Sequence, residues 1–116
     1  MANQCGTRFS EIVEALQEDA LLIYGKYDLD KSIVWMAEEF GEVVKAIHKN
    51  EGKEAIEEEL GDLLAWIFCL ANITGVSVHG ALQGTFQKEI QRQQKKYGKL
   101  KYCPSGMQLQ SVSSNV

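Results

Sequence analysis

The fold of this chain follows first from EAIEEELGDLLAWIFCLANIT, residues 54–74. Successive residues of a helix turn by about 100°, and with Glu59 at zero five apolar residues fall within about 60° of it. They are Ile56, Leu63, Trp66, Leu70 and Ile73. This spacing predicts a helix from about Lys53 to just before Gly75, a residue that favours a helix end. Glu59 then lies in the middle of the apolar stripe, and Asp62 lies at its edge.

A carboxylate in the middle of an apolar stripe needs a partner. Losing its hydration costs several kcal/mol unless the group is paired, protonated or bound to a metal ion. Glu57 and Glu58 point away from the stripe and are expected in solvent. Glu59 is therefore a candidate ligand rather than one more surface acid.

The preceding stretch predicts a second helix, from about Lys31 to Lys49, with a similar pair of acids. Glu39 borders its apolar stripe, and Glu42 lies one turn further on, rotated by about 60°. Like charges at this spacing repel unless a cation lies between them. Two such pairs on antiparallel helices would form a four-carboxylate site whose hard oxygen ligands suit magnesium or manganese better than zinc or copper. The apolar stripe itself consists of Met36, Phe40, Val43, Val44 and Ile47.

Other interpretations of these acids stay open at the level of sequence. A solvated acidic face is favoured for Glu38, Glu54, Glu57 and Glu58. Glu59 could instead form a buried salt bridge with Lys45 or Arg92. A di-iron site is disfavoured, because it requires Glu-x-x-His on two helices. Here the residue three positions after Glu42 is Lys45, and the residue three positions after Glu59 is Asp62.

Two further helices complete an all-α four-helix bundle. The first is predicted from about Arg8 to Tyr24, and the last runs from a cap at Ser77 to about Tyr97. Residues 1–98 are interpreted as a single domain and residues 99–116 as a polar, flexible tail, with Ser111 to Val116 disordered. Apolar residues cover wide arcs of the two central helices, so we expect a homodimer or a dimer of dimers.

Composition limits the classes of function. The chain has 116 residues, is 45% hydrophobic and carries a net charge of −4, which argues against a general nucleic-acid binder. The chain has three cysteines, Cys5, Cys69 and Cys103. Because their number is odd and no C-x-x-C motif occurs, they indicate neither a disulfide framework nor a zinc site. No secretory signal is visible, and the longest apolar run is too short to cross a membrane. These features predict a cytoplasmic protein that does not associate with membranes.

The two acidic motifs resemble those of a known family. WMAEEFGEV (residues 35–43) and EELGDLLAW (residues 58–66) resemble the E-E-x-x-E and E-x-x-D motifs of MazG-like nucleotide pyrophosphohydrolases. The likeness covers roughly Ile33 to Ala81. The double motif is specific to this all-α superfamily and less specific among its branches, which include MazG, dimeric dUTPases, dCTP pyrophosphatases and phosphoribosyl-ATP pyrophosphohydrolase.

The resemblance implies a function and assigns roles to the acids. It implies hydrolysis of a nucleoside triphosphate between the α and β phosphates, as in nucleotide-pool sanitation, with magnesium as cofactor and manganese able to substitute. By position, Glu39, Glu42, Glu59 and Asp62 match the metal ligands, and Glu38 matches an outer group that could hold the attacking water. Alternatives are phosphoribosyl-ATP pyrophosphohydrolase and a non-catalytic nucleotide-binding regulator.

Substrate-binding residues are predicted less sharply. Lys88, Arg92 and Lys96 form a basic stripe that could hold phosphates or simply face solvent, and an Asn common in relatives is missing nearby. Aromatic rings can stack on a base, so Trp35 and Trp66 could bind the base or simply pack in the core. Asn72 could bind the base or satisfy a neighbouring backbone group.

Overall fold

The structure, a computed structural model, describes the backbone of residues 4–104 and the side chains of residues 10–104. Within this range the chain forms four α-helices and no strand, which confirms the all-α prediction. The helices are α1 (Gln4–Tyr24), α2 (Leu29–His48), α3 (Lys53–Thr74) and α4 (Val78–Tyr97). The predicted disorder at residues 111–116 lies outside the described residues.

The ends of α2, α3 and α4 follow local capping rules, but two helices begin earlier than predicted: α1 begins at Gln4, four residues before its predicted start, and α2 also begins early. Gly75 and Gly98 adopt left-handed backbone conformations, with φ of 75° and 74°, and end α3 and α4. The Ser77 hydroxyl accepts a hydrogen bond from the Gly80 amide at 3.0 Å and begins α4, as predicted. Asp28 accepts from the Lys31 amide at 2.9 Å, so α2 begins at Leu29, two residues before the predicted start.

The described chain divides into two compact units. One comprises Leu16–Val76, which contains the end of α1 and the hairpin of α2 and α3. These two helices pack against each other along a seam. The buried residues are Ser32, Val43 and Ala46 on α2, and Cys69 and Ala71 on α3.

A pair of amides joins α1 to α3 within this unit. The Gln17 amide donates to the Asn72 side-chain oxygen at 3.1 Å and to the Val76 carbonyl at 2.8 Å. In return, the Asn72 amide donates to the Gln17 carbonyl at 3.0 Å. The last turns of α1 are thereby fixed against the end of α3.

The other unit contains α4 and the segment that follows it. The Lys101 amide donates to the Gln93 side-chain oxygen at 3.0 Å, and the Cys103 amide donates to the Leu100 carbonyl at 3.2 Å. Both bonds involve residues of the predicted tail, whose flexibility stays a prediction. No single described helix is long and apolar enough to cross a membrane; α3 and α4 reach that length and hydropathy only when counted together as one bent pair.

The apolar stripe of α2 is largely exposed in this chain. The exposed fractions of Phe40, Val44 and Ile47 are 59%, 50% and 57%, whereas Val43 is buried in the seam. The surface of α2 that packs on α3 is thus rotated away from the stripe that dominates the sequence pattern. This exposed face is compatible with the predicted homodimer, which stays a prediction.

Candidate metal centre and adjoining pocket

The register of the α2–α3 hairpin is visible in its aromatic and acidic residues. The rings of Trp35 and Trp66 meet edge to face with centroids 5.5 Å apart. Four residues further along α2 lies Glu39, and four residues earlier in α3 lies Asp62. These two positions also face each other, which requires the two helices to run in opposite directions. The helices are therefore antiparallel, as predicted.

Three carboxylates meet at this point of the seam. One carboxylate oxygen from each of Glu39, Glu59 and Asp62 lies within 4.8 Å of the other two. Glu39 and Glu59 are half-buried, and Asp62 is exposed. We call these three residues the acidic cluster. Its spacing allows one divalent cation to contact all three oxygens after small side-chain adjustments.

Glu42, the fourth predicted ligand, lies outside this group of three but close to it. Among the neighbouring carboxylates, Glu42 contributes most to raising the pKa of Glu59. It also raises the pKa of Glu39, after Asp62. Glu42 is exposed, so its side chain can move toward the cluster without disrupting a core. Its role as a ligand stays a prediction.

The acidic cluster is electrostatically unfavourable without a cation. Burial raises the pKa of Glu39, and the charges of Asp62, Glu42 and Glu38 raise it further. Burial likewise raises the pKa of Glu59, followed by the charges of Glu42 and Asp62. None of the described basic side chains offsets either shift. A bound divalent cation would reverse this balance.

One carboxylate oxygen of Glu39 lacks a hydrogen-bond partner within the protein. Oε2 of Glu39 is buried and has no hydrogen-bond donor, a state shared among the described side chains only by Oγ of Ser32. A buried acceptor without a partner is costly, and it is rare in folded proteins. Hard carboxylate oxygens, one of them unsatisfied, fit a magnesium-like or manganese-like ion.

The alternative of a buried salt bridge to Glu59 receives no support. Arg92 binds Glu89 one turn earlier on α4, with Nη2 to Oε2 at 2.6 Å and Nε to Oε1 at 2.8 Å. This contact and a bond from Gln93 lower the pKa of Glu89 to about 2. Lys45 is exposed and does not affect the pKa of Glu59.

An aromatic pocket of about 370 Å³ adjoins the acidic cluster within the unit Leu16–Val76. Glu39 and Asp62 form part of its wall, so a molecule in the pocket would lie beside two of the acids. The remaining wall comes from aromatic and small residues: Tyr24, Gly25, Tyr27, Trp35, Ala65, Trp66 and Cys69. Burial raises the pKa of the Cys69 thiol, which keeps it neutral.

The structure brings some of the predicted substrate-binding residues to this pocket and not others. Trp35 and Trp66 line it, beside the acids. Asn72 is engaged by Gln17, which favours the structural alternative for this residue. The basic stripe lies on α4, in the other unit. There Arg92 pairs with Glu89, Lys96 lies over the Tyr97 ring at 5.4 Å, and Lys88 is exposed.

The sequence analysis missed two aromatic residues of the pocket. Tyr24 is the last residue of α1, and Tyr27 lies in the loop before α2, where helical periodicity gives no signal. The signal that could have found them is their closeness to Trp35 in the sequence, because a short loop brings the end of α1 back to the start of α2.

An all-α chain with three clustered carboxylates on a helical hairpin and a ligand-sized pocket beside them offers a candidate divalent-cation site. Comparison with family models places the chain more closely. The model of the MazG nucleotide pyrophosphohydrolase domain matches residues 28–97, and the chain belongs to this family. The match begins at the residue that caps α2 and ends with α4. Comparisons with curated proteins and with solved structures give no match.

Proposed function

We propose that this protein hydrolyses nucleoside triphosphates between the α and β phosphates, releasing a nucleoside monophosphate and pyrophosphate. Its cofactor is magnesium, for which manganese can substitute, held by Glu39, Glu42, Glu59 and Asp62. The observation that carries this proposal is the buried Oε2 of Glu39, which has no donor and belongs to a carboxylate that lies beside those of Glu59 and Asp62. Membership of the nucleotide pyrophosphohydrolase family supports it.

The cofactor explains how an acidic site can accept a polyanion. When bound, the metal would neutralise phosphate charge and lower the pKa of a bound water. The chain's own contribution is to hold the ligand oxygens on two packed helices, so that little reorganisation is needed. Glu38 is exposed beside Glu39 and, in this proposal, orients the attacking water.

The pocket supplies a place for the nucleoside. A volume of about 370 Å³ is within the usual range for small-molecule sites. Trp35 and Trp66 would contact the base, since aromatic stacking tolerates any base. Because Glu39 and Asp62 share the wall of the pocket, a nucleoside held there would present its phosphates to the metal ligands.

The phosphate-binding role of Lys88, Arg92 and Lys96 is proposed from the sequence. The bidentate contact with Glu89 neutralises Arg92 locally. Lys88 and Lys96 are exposed, so their side chains are accessible to an anion. We further propose a cytoplasmic homodimer or homotetramer, in which the exposed face of α2 is covered by a second copy.

A nucleotide panel tests the proposal. Canonical and modified nucleoside triphosphates and phosphoribosyl-ATP would be incubated with magnesium, and pyrophosphate and orthophosphate measured separately. Pyrophosphate release that is lost on chelation and in Glu59→Gln is the expected result. Turnover of phosphoribosyl-ATP alone would assign the narrower activity, and binding without any turnover would indicate a regulator.

A further inference from the structure

A tyrosine outside the acidic motifs covers one face of the pocket tryptophan. The ring of Tyr27 stacks on the ring of Trp35, with centroids 5.3 Å apart and an interplanar angle of 28°. Trp35 in turn contacts Trp66 edge to face. Trp35 therefore contacts one ring of α3 and one ring of the loop before α2, and the stacked contact is the one with Tyr27.

The loop that carries Tyr27 is fixed at both ends. At its start, the Gly25 amide donates to the Leu21 carbonyl at 2.8 Å, and Gly25 has a positive φ of 67° that favours glycine. At its end, Asp28 caps α2 through the Lys31 amide. Only Lys26 and Tyr27 lie between these anchors, so the backbone position of Tyr27 is set by two helix ends.

The side chain of Tyr27 is nevertheless able to turn. Half of Tyr27 is exposed, whereas a core residue would be enclosed. Exposed side chains change rotamer in nanoseconds or less. The ring can thus leave the face of Trp35 while the backbone anchors at Gly25 and Asp28 stay in place.

The present ring spacing leaves no room for a base between Tyr27 and Trp35. Stacked carbon atoms require about 3.5 Å per contact, so a third ring between two others requires about 7 Å. The observed centroid distance is 5.3 Å. A planar ligand that stacks on this face of Trp35 must therefore displace the Tyr27 ring outward.

We propose that Tyr27 is a base-binding residue of the pocket: its ring covers the face of Trp35 in the free protein and turns outward to hold a nucleobase against Trp35. The inference rests on the proposed function for the nature of the ligand. Tyr27 and Glu39 line the same pocket, so the base is held beside the acids that bind the triphosphate through the metal. The ring stack lost on opening is replaced by two stacks with the base, which makes the exchange favourable.

The experiment compares a ligand that has a base with one that lacks it. Dissociation constants are measured with magnesium for α,β-methylene-ATP, which resists cleavage at the proposed bond, and for inorganic tripolyphosphate. Tyr27→Ala and Tyr27→Leu should weaken binding of the nucleotide analogue at least about fivefold, the loss of one stacked ring. Binding of tripolyphosphate should not change. Tyr27→Phe keeps the aromatic face and should behave as wild type.

Tyr102→Ala is the matched control, because Tyr102 is a tyrosine with 87% exposure that lies outside the pocket. It should leave both constants unchanged. Tyr27→Leu provides a second test in case the alanine variant does not fold, and thermal melting verifies that each variant is folded. Equal weakening of both ligands in a folded variant would show a structural role and overturn the proposal, as would no change in either.

The outcome is separable from that of the proposed function. Wild type that binds the analogue more tightly than tripolyphosphate, with the preference lost in Tyr27→Leu, supports the base-binding role even if ATP is not hydrolysed. Hydrolysis of ATP with no dependence on Tyr27 would support the proposed function and refute the role of Tyr27. Wild type that binds both ligands equally would show that no base is recognised, which also refutes it.

Discussion

Trp35 of α2 and Trp66 of α3 meet edge to face at 5.5 Å, and this contact belongs to the same seam as the acidic cluster. One turn away, Glu39 and Asp62 face each other, and Asp62 is the carboxylate that most raises the pKa of Glu39. Aromatic contacts of this geometry contribute about 0.5–1.5 kcal/mol beyond burial. The tryptophan pair thus stabilises the register that brings repelling carboxylates together.

Glu59→Gln should separate a metal ligand from a structural acid. The change removes a charge that is disfavoured by burial and by neighbouring acids, so the metal-free variant should be as stable as wild type or more stable. Magnesium should raise the melting temperature of wild type but not of the variant, and turnover should fall by orders of magnitude. Thermal melts with and without magnesium, together with pyrophosphate release, measure these effects.

Glu57→Gln provides the control for this change, since Glu57 is exposed on the same helix and lies outside the acidic cluster. It should retain both the stabilisation by magnesium and the turnover. A Glu59→Gln variant that is clearly less stable without metal, and still stabilised by magnesium, would contradict the ligand role.

Stability without metal should depend on pH through the acidic cluster. The raised pKa values of Glu39 and Glu59 mean that the folded protein binds these protons more tightly than the unfolded chain. Their unfavourable contribution is fully present above the raised pKa values and is lost as the pH falls below the ordinary value of 4.5. The stability advantage of Glu59→Gln over metal-free wild type should therefore shrink between about pH 7 and about pH 4.

In excess magnesium, wild type should instead be more stable than Glu59→Gln. Protons compete with the cation for the carboxylates, so the stabilisation of wild type by magnesium should be largest at neutral pH and decline on acidification. Melting temperatures of both proteins across this pH range provide the measurement. If the stability advantage of Glu59→Gln over wild type, both without metal, grows as the pH falls, repulsion within the cluster is not its cause.

Asn72 should contribute to stability rather than to metal binding. Asn72→Ala removes two hydrogen bonds to Gln17, so we expect the free energy of unfolding to fall by about 1–3 kcal/mol. Gln17→Ala should cost a similar amount, and the double variant should cost less than the sum, because both changes remove the hydrogen bond between the two side chains. Denaturant unfolding of the three variants measures this, and magnesium affinity should be unchanged. Additive losses would indicate independent roles.

The exposed face of α2 should mediate self-association. Phe40 is 59% exposed although it lies in the dominant apolar stripe, so Phe40→Glu should shift a homodimer toward monomer. Tyr102→Ser, at an exposed ring on the other unit, should not. Sedimentation at micromolar concentration distinguishes these outcomes. A wild-type monomer would refute the predicted dimer directly.

Much of the fold was accessible from local sequence signals. The start of α3 at Lys53 and the glycine that ends it were predicted, because periodicity and capping depend on neighbouring residues. The start of α2 was predicted two residues late, since the capping role of Asp28 was overlooked. The apolar stripe through Phe40 predicted burial on α2 but could not say whether its own chain or a second copy covers it.

By itself the sequence determined which side chains share a helix face, and therefore that Glu39, Glu59 and Asp62 belong to the inner faces of consecutive helices. Tertiary structure alone decided that their oxygens meet within 4.8 Å, that Oε2 of Glu39 is left without a donor, and that Tyr27 covers Trp35. The physical reason is that helical periodicity is a property of one segment. The rotation and shift of one helix against another, and the path of a short loop between them, depend on packing between residues far apart in sequence.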